Sequence, residues 1–497
     1  MNWQTFQINN QSQEKAFECL CNQLFENWCQ ETYLSAISYF TVNNGAGGDG
    51  GVESYAVLKD KTVIGLQAKW FPNVIETSHI KQIKNSIQTA MKIRPNIGKY
   101  IVCVPRNLAS KTGRNTEDGD YEEKRWLTLV EEIKKQYPTL ELVLWNDHAI
   151  TKELEKPTSV GVLKFWFHNS EISYDKLVDA FKKSKASWLI NKYVPDLNCC
   201  GKVYKTIINY LGDINAKEYL LHEFSKINSL VKELKKPADD LIDIIKEKSE
   251  KAEELKRSIS ELKDKADVLA NLTDKILENI ENDISDVDNA VSLNFNFEFG
   301  ATAEYLRRDS FLSDRYWHTI ALASILSELD KFDLFQLFSD YQQVTCTNNI
   351  IIKGDPGTGK SHGVASAIEK ILADKYHAGI IIHARDIEKT KSWKDIVLSN
   401  LGLSSNWEED ELWQALLSMI NINKTSLLNT KNAIRITPKV LIAVDGIDES
   451  STTDKWEERV REAKVISKKY PQIRFCVTTR PFLFKEKIDK VDVCSLS

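Results

Sequence analysis

With 497 residues, 42% of them hydrophobic and 28% charged, the chain has the composition of a folded protein of several domains, each able to bury its own core. A net charge of −5 is too small at this length to name a class of partner, and no apolar run approaches the ~20 residues of a membrane span. Nine cysteines without framework spacing fit a reducing compartment, so a cytoplasmic location is expected; Cys19, Cys21 and Cys29 are read as buried thiols on one helix rather than a metal cluster.

The N-terminal stretch Met1 to Gln13 is polar and has no signal-peptide core. Glu14 to Trp28 repeats apolar residues at three- and four-residue steps (Phe17, Leu20, Leu24, Phe25) and predicts a helix. A loop with five glycines and two acids follows, Gly45-Ala46-Gly47-Gly48-Asp49-Gly50-Gly51-Val52-Glu53. It opens a predicted hairpin: a strand over Ser54 to Leu58, a polar turn at Lys59-Asp60-Lys61, and a strand over Thr62 to Leu66 that runs into Gln67-Ala68-Lys69-Trp70. Side chains two apart on a strand share a face, so Gln67 and Lys69 point the same way, and the hairpin returns that face toward Asp49 and Glu53. Two carboxylates and an amide oxygen suit Mg²⁺, which polarises a phosphodiester and acidifies its bound water; Lys69 would orient that water.

Gly-Asp-Gly-Gly-Val-Glu, about thirteen residues, then Gln-Ala-Lys resembles the PD-(D/E)xK superfamily in its Mrr-like restriction endonuclease branch. Phe17-Glu18 resembles the Phe-Glu start of that branch. The resemblance spans roughly residues 10 to 170. It implies a restriction-endonuclease-like α/β domain with Asp49, Glu53, Gln67, Lys69 and Glu18 at a catalytic site, Asp49, Glu53 and Gln67 as Mg²⁺ ligands, and double-stranded DNA as substrate. The branch most often has Asp where this sequence has Glu53, which leaves the principal ligand open between Glu53 and Asp49. Lys81 to Arg114 holds eight basic residues and no acid, a bias that suits a surface facing the DNA backbone. A strand at Tyr100 to Pro105, a helix at Arg125 to Gln136 and a strand at Leu140 to Trp145 complete an alternating α/β pattern.

From Ser173 to about Leu293 strand character disappears, interrupted only by Pro195 and Pro237. Ala252, Leu255, Ile259, Leu262, Ala266 and Leu269 step by 3, 4, 3, 4, 3, a heptad seam extendable through Ile276 and Ile280 with Thr273 as an interruption. It is either one side of an intramolecular helical hairpin or a self-association surface. Asn294 to Gly300 is expected to be a hinge between this linker (171–300) and the third domain (301–497).

In the third domain Ala301 to Tyr341 reads as helix, with Arg307-Arg308 early. Gly354-Asp355-Pro356-Gly357-Thr358-Gly359-Lys360-Ser361 is a full G-x-x-x-x-G-K-[ST] motif between a predicted strand (Asn349 to Lys353) and a predicted helix (His362 to Leu372). Backbone N–H groups of such a loop cradle phosphates, Lys360 neutralises β/γ oxygens and Ser361 ligates Mg²⁺; His362 adjoins the same loop. A strand at Gly379 to Ala384, helices at Trp393 to Leu401 and Asp410 to Ile420, the apolar strand Val440 to Asp445, a helix at Thr453 to Lys469 and a strand at Ile473 to Thr478 predict a doubly wound parallel sheet.

Asp445-Gly446-Ile447-Asp448-Glu449, with the later Thr478-Thr479-Arg480, resembles the STAND class of signalling ATPases, a P-loop fold of ASCE type. The resemblance implies that Asp445 holds the Mg²⁺ of ATP through water, that Asp448 and Glu449 position the attacking water, and that Arg480 reads the γ-phosphate. An Mrr-like nuclease joined through helices to such an ATPase resembles the antiviral STAND proteins of prokaryotes. That implies a homo-oligomer, a tetramer when active, assembled with ATP after a C-terminal sensor has bound a phage protein. The sequence stops about seventeen residues after Arg480, so the sensor is expected on a missing C-terminal part or another chain. Two other readings stay open: a modification-dependent restriction enzyme with an attached ATPase, and an ATP-regulated DNA-binding protein with an inactive nuclease fold.

Overall fold

A computed structural model describes residues 2–33, 36–43, 50–110, 120–168, 172–194, 201–246, 249–282, 306, 316–345, 349–387, 391–422, 436–450, 455–481 and 493–495. The described chain is mixed α/β, with two five-stranded sheets and many helices. It divides into two compact units: Met1–Ile207 with Asn348–Asn432 and Thr437–Ser497, and Ile208–Thr347 with Ala433–Ile436.

The N-terminal sheet is built from α1 (Gln13–Tyr33), β1 (Ile37–Val42), β2 (Ser54–Leu58), β3 (Val63–Ala68), α2 (Thr77–Ile93), β4 (Ile97–Cys103), α3 (Glu122–Gln136), β5 (Glu141–Trp145), α4 (Asp147–Leu154) and α5 (Val160–Phe167). Strand order is β1-β2-β3-β4-β5; β1, β2 and β3 pair antiparallel, and β3, β4 and β5 parallel. The β2–β3 turn forms because Lys61 adopts φ +68 while the Asp60 carboxylate accepts the Thr62 N–H at 2.9 Å. Phe17, Leu20, Leu24 and Phe25 of α1 are each at most 1% exposed, worth about 1.5–3 kcal/mol apiece. The helix runs further at both ends than its apolar repeat, and β3 extends to Ala68, which puts Gln67 inside the strand. The edge strand β1 was not foreseen: its residues are mostly half-buried and lack a clean two-residue alternation.

The second unit is helical. Its main elements are α8 (Ile214–Ile244), α9 (Glu250–Asn282), α10 (Tyr316–Leu329) and α11 (Leu334–Thr345); α6 (Tyr174–Ala186) and most of α7 (Lys202–Tyr210) belong instead to the first unit. Every seam residue of α9 from Ala252 to Ile280 is buried, in one core with Leu220, Phe224, Val231 and Leu241 of α8. The seam is therefore closed inside the chain as a helical hairpin and is not a free self-association surface. Thr273 is satisfied there, since its hydroxyl donates to Asn228 Oδ1 at 3.1 Å and Asn228 Nδ2 reaches Asp274 at 2.7 Å. Such a polar layer fixes register. Pro237 does not interrupt α8: burial of Leu234, Ala238 and Leu241 on either side offsets the ~3 kcal/mol a proline costs inside a helix. Pro195, the expected hinge at Asn294 to Gly300, and Arg307-Arg308 lie outside the described residues.

The second sheet contains β6 (Ile350–Lys353), α12 (Lys360–Asp374), β7 (Ala378–His383), α13 (Trp393–Leu401), α14 (Glu409–Asn421), β8 (Val440–Asp445), α15 (Trp456–Lys469), β9 (Ile473–Thr479) and β10 (Val493–Ser495). All its pairings are parallel, in the order β10-β6-β9-β8-β7. β9 thus separates β6 from β8. β7, β8 and β9 are buried at every position, as a sheet covered on both faces requires.

The grouping of the chain differs from the sequence expectation of a separate first domain and a linker beginning at 171. The two sheets fall in one compact unit because α5, Val-Gly-Val-Leu-Lys-Phe-Trp-Phe, is apolar nearly all round and packs on α14. A Cβ on Gly161 would lie 2.4 Å from Glu411 O and 2.5 Å from Gln414 Cβ, so only glycine permits this approach. The Gly161 N–H donates to Gln414 Oε1 at 2.7 Å, and Lys164 pairs with Glu411 at 3.0 Å.

Candidate functional site

In the second sheet the loop between β6 and α12 turns through Gly357 and Gly359 at φ +82 and +78. A Cβ at either position would meet nothing within 4 Å, so the loop faces open space. Lys360 Nζ donates to Gly354 O at 2.6 Å and Asp355 O at 2.9 Å. Burial pulls its ammonium below its ordinary value, against the opposing pull of Asp448 and Asp445. Asp445, 1% exposed at the end of β8, accepts the Ser361 hydroxyl at 2.7 Å and the Thr478 hydroxyl at 2.6 Å. Thr478 Oγ1 in turn accepts the Gly446 N–H at 2.9 Å. Gly446, at φ +71, bends the chain into the short helical turn Ile447–Glu449. That turn separates the two acids. Asp448 takes Arg480, with Nε–Oδ2 at 3.0 Å and Arg480 N–Oδ1 at 3.2 Å. Glu449 takes Arg385 at 2.9 Å, with His383 Nε2 at 3.6 Å.

Loop, helix start and both acids line one cavity of about 340 Å³. It gathers Gly357, Thr358, Gly359, Lys360, Ser361 and His362 with Asp445, Asp448, Glu449 and Arg480. Gly354 and Asp355 turn their carbonyls to Lys360, and Pro356 also lines the cavity. His362 is drawn aside, its Nε2 3.0 Å from Val194 O. An open loop, an ammonium bonded only to loop oxygens, and a hydroxyl–carboxylate pair form a donor set that fits Mg²⁺ and a polyphosphate. Bound there, Mg²⁺ would supply charge neutralisation between phosphate oxygens.

In the N-terminal sheet Glu53 stands at the head of β2, its N–H donating to Leu66 O at 2.8 Å. Gln67 lies on β3 opposite Val102 of β4. Lys69 follows the strand, its N–H on Cys103 O at 2.9 Å. Lys69 Nζ sits 3.6 Å from Glu53 Oε1, with Glu53 8% exposed. Gln67 is completely buried, and among the described residues neither its Oε1 nor its Nε2 has a hydrogen-bond partner. Orphaned amides of this kind cost about 1–3 kcal/mol per group and are rare in folded proteins. Glu53 and Lys69 are brought together, Gln67 lies near the end of β3 two residues before Lys69, and the donor chemistry of a buried carboxylate and an orphaned amide fits a cation.

Glu18 is not joined to that trio by any hydrogen bond or ion pair among the described residues; it pairs with Lys15 one turn earlier at 2.6 Å. Asp49 lies outside the described residues. Among the described residues no group of three or more His, Cys, Asp or Glu side chains is gathered to hold a metal. The basic stretch is partly neutralised by acids distant in sequence: Lys84 pairs with Glu132, Lys99 with Glu141 and Arg106 with Glu122, while Arg94 stacks on Tyr55 at 4.5 Å. Cys19, Cys21 and Cys29 are buried and in no disulfide among the described residues, and burial with the Cys103 contact pushes the Cys21 thiol well up.

Residues 335–480 match the family model described as Nephrocystin 3, N-terminal, a domain found in NTPase-like proteins. The matched stretch takes in the glycine loop, Asp445 and Arg480 and excludes the N-terminal sheet. No curated protein matches the chain. No helix of the described residues is long and apolar enough to cross a membrane.

Sequence reasoning missed three residues at the cavity. Thr478 stood in a noted Thr-Thr-Arg run but was not linked to Asp445. Arg385, just outside the lining, reaches the cavity's Glu449 and belongs to no motif. Lys192, which also lines the cavity, belongs to no motif, and only tertiary structure brings it there.

Proposed function

We propose that the chain is an effector of the antiviral STAND kind: a Mg·ATP-binding switch carrying a Mrr-like, Mg²⁺-dependent DNA endonuclease. The observation that carries the reading is Ser361 bonded to Asp445 at 2.7 Å directly beside an open glycine loop. The strand β9 between β6 and β8 agrees with a P-loop fold of ASCE type, and the NTPase-like family match covers the same stretch. Glu53, the orphaned Gln67 amide and Lys69 support the nuclease half. Lys69 would orient the attacking water and Glu53 with Gln67 would hold the cation, while Asp49 is proposed as the further ligand. Duplex DNA is the proposed substrate, a phage protein the proposed trigger, and a cytoplasmic homo-oligomer the proposed active state. Since the α9 seam is closed within the chain, oligomerisation would use another surface.

The test is plasmid cleavage with Mg²⁺ and ATP, with and without whole-phage lysate, for the wild type and Lys360→Ala. Cleavage that needs Mg²⁺, increases with lysate and is lost in Lys360→Ala supports the switch. DNA binding with no cleavage under any condition would reduce the first sheet to a docking module. Unchanged ATP binding by Lys360→Ala would remove the nucleotide reading.

A further inference from the structure

Three cations face the cavity beside the glycine loop, and they are held differently. Lys360 is bonded to Gly354 O and Asp355 O at 2.6 and 2.9 Å. Arg480 is bonded to Asp448 at 3.0 Å. Among the described residues Lys192 has only long contacts to the acids: its Nζ lies 3.8 Å from Glu449 Oε2 and 3.9 Å from Asp445 Oδ2, and 3.5 Å from His383 Nε2. At those distances the carboxylates attract the ammonium but do not take its protons. Their short bonds go elsewhere, Asp445 to Ser361 and Thr478, and Glu449 to Arg385.

The backbone that presents Lys192 is fixed, although it comes from a remote part of the chain. It follows α6 and is anchored by Leu189, 0% exposed. Trp188 packs on His383 with ring centroids 4.7 Å apart. The Tyr193 hydroxyl donates to Glu369 on α12, and Val194 O receives His362 at 3.0 Å. Burial and the Glu369 carboxylate push the Tyr193 phenol up to about 12, so it stays a donor at neutral pH. Burial pulls the His383 imidazole below its ordinary value, and the Lys192 charge acts in the same direction.

We propose that Lys192, together with Arg480, distinguishes a nucleoside triphosphate from a diphosphate in this cavity. The inference rests on the Mg·nucleotide reading of the site and adds a second cation, beside Arg480, at the terminal phosphate. Without ligand the ammonium neutralises Asp445 and Glu449 from a distance. A cation held by Ser361 and Asp445 would repel it, and terminal phosphate oxygens are stronger acceptors, forming charge-assisted bonds with Lys192. The side chain needs to shift only within the cavity it already lines. The contact would also tie the segment between α6 and α7 to the nucleotide state, since a ligand moves an equilibrium only through such differential contacts.

The experiment is fluorescence titration of the full chain with N-methylanthraniloyl-ATP and N-methylanthraniloyl-ADP in Mg²⁺. The variants are Lys192→Met, which keeps the apolar stem, and Lys192→Arg, which keeps the charge, with Lys360→Ala alongside. Lys192→Met is expected to weaken the triphosphate about tenfold or more, the usual range for one lost charge-assisted bond. Its diphosphate affinity should change less than about twofold, and Lys192→Arg should recover most of the triphosphate affinity. Equal weakening of both nucleotides, or no change in either while Lys360→Ala loses both, overturns the role of Lys192 and leaves the nucleotide site standing. Wild-type binding by Lys360→Ala overturns the site itself.

Discussion

The two candidate sites sit in equivalent places, at the carboxyl ends of central strands, yet their polar groups are satisfied in opposite ways. At the second sheet, Lys192 apart, the polar groups are closed on one another: Ser361 and Thr478 on Asp445, Arg480 on Asp448, Arg385 on Glu449. At the first sheet the Gln67 amide is buried with no partner among the described residues, and Lys69 stands 3.6 Å from Glu53. A self-satisfied site tolerates alternation between empty and filled states, as a switch requires. An orphaned amide costs stability whenever nothing binds it, as the proposed cation site at the first sheet would require.

The largest expected effect lies at the first sheet. Lys69→Ala should reduce Mg²⁺-dependent cleavage by about a thousandfold, within the range for a lost proton-handling group. Circular dichroism should show the fold retained. Wild-type nicking by Lys69→Ala would remove the nuclease half of the comparison.

At the second sheet, Asp445→Ala breaks the hydroxyl–carboxylate network and should weaken ATP binding in Mg²⁺ by about ten- to a hundredfold, as for a lost charged acceptor. Binding in EDTA should change much less. A similar loss with and without Mg²⁺ would mean that Asp445 acts structurally rather than toward the metal.

The junction of the two sheets comes next. Gly161→Ala places a methyl 2.4 Å from Glu411 O and should destabilise the unit by about 1–3 kcal/mol, as overpacking does. Thermal melting reads this, and an unchanged midpoint would show that α5 and α14 are not held together in solution.

Gln67→Met separates stability from function at the first site. Replacing the orphaned amide with an apolar side chain of similar volume should raise stability by about 1–3 kcal/mol while lowering cleavage. A destabilised Gln67→Met variant would mean that the amide has a partner in solution.

The smallest effect concerns the strap over the glycine-loop helix. Burial alone would raise the Glu369 carboxyl, but bonds from Lys185 and Tyr193 hold it below its ordinary 4.5. Its contribution is therefore present at neutral pH and fades as pH falls through the depressed folded value. Glu369→Gln should cost under about 1 kcal/mol at pH 7, because the pair is partly solvent-screened. The gap to wild type should close in acid below pH 4.5, as chemical denaturation across pH would show. A gap constant with pH would assign the effect to packing.

Much was legible because it is local. Helix periodicity placed α1 and α9, since the side chains that must face one core recur every three or four residues. The motif spacing located the glycine loop and Asp445, because a strand, a turn and a helix start are set by neighbours in sequence. Gln67 and Lys69 were assigned to one face by the two-residue strand period, and the hairpin brought Glu53 to Lys69. The order of the second sheet, the burial of the α9 seam against α8, and the docking of α5 on α14 depend on which surfaces meet. Composition does not encode that directly: Gly161 and Gln414 are 253 residues apart, and nothing near either marks the other. The neutralisation of the basic stretch was invisible for the same reason, since Glu132, Glu141 and Glu122 come from other elements. Lys192 is the clearest case. The sequence by itself determined an ordinary lysine after a helix. Only the tertiary structure, by anchoring Trp188, Leu189 and Tyr193 on the second sheet and its helix, placed that charge within 4 Å of the acids beside the glycine loop.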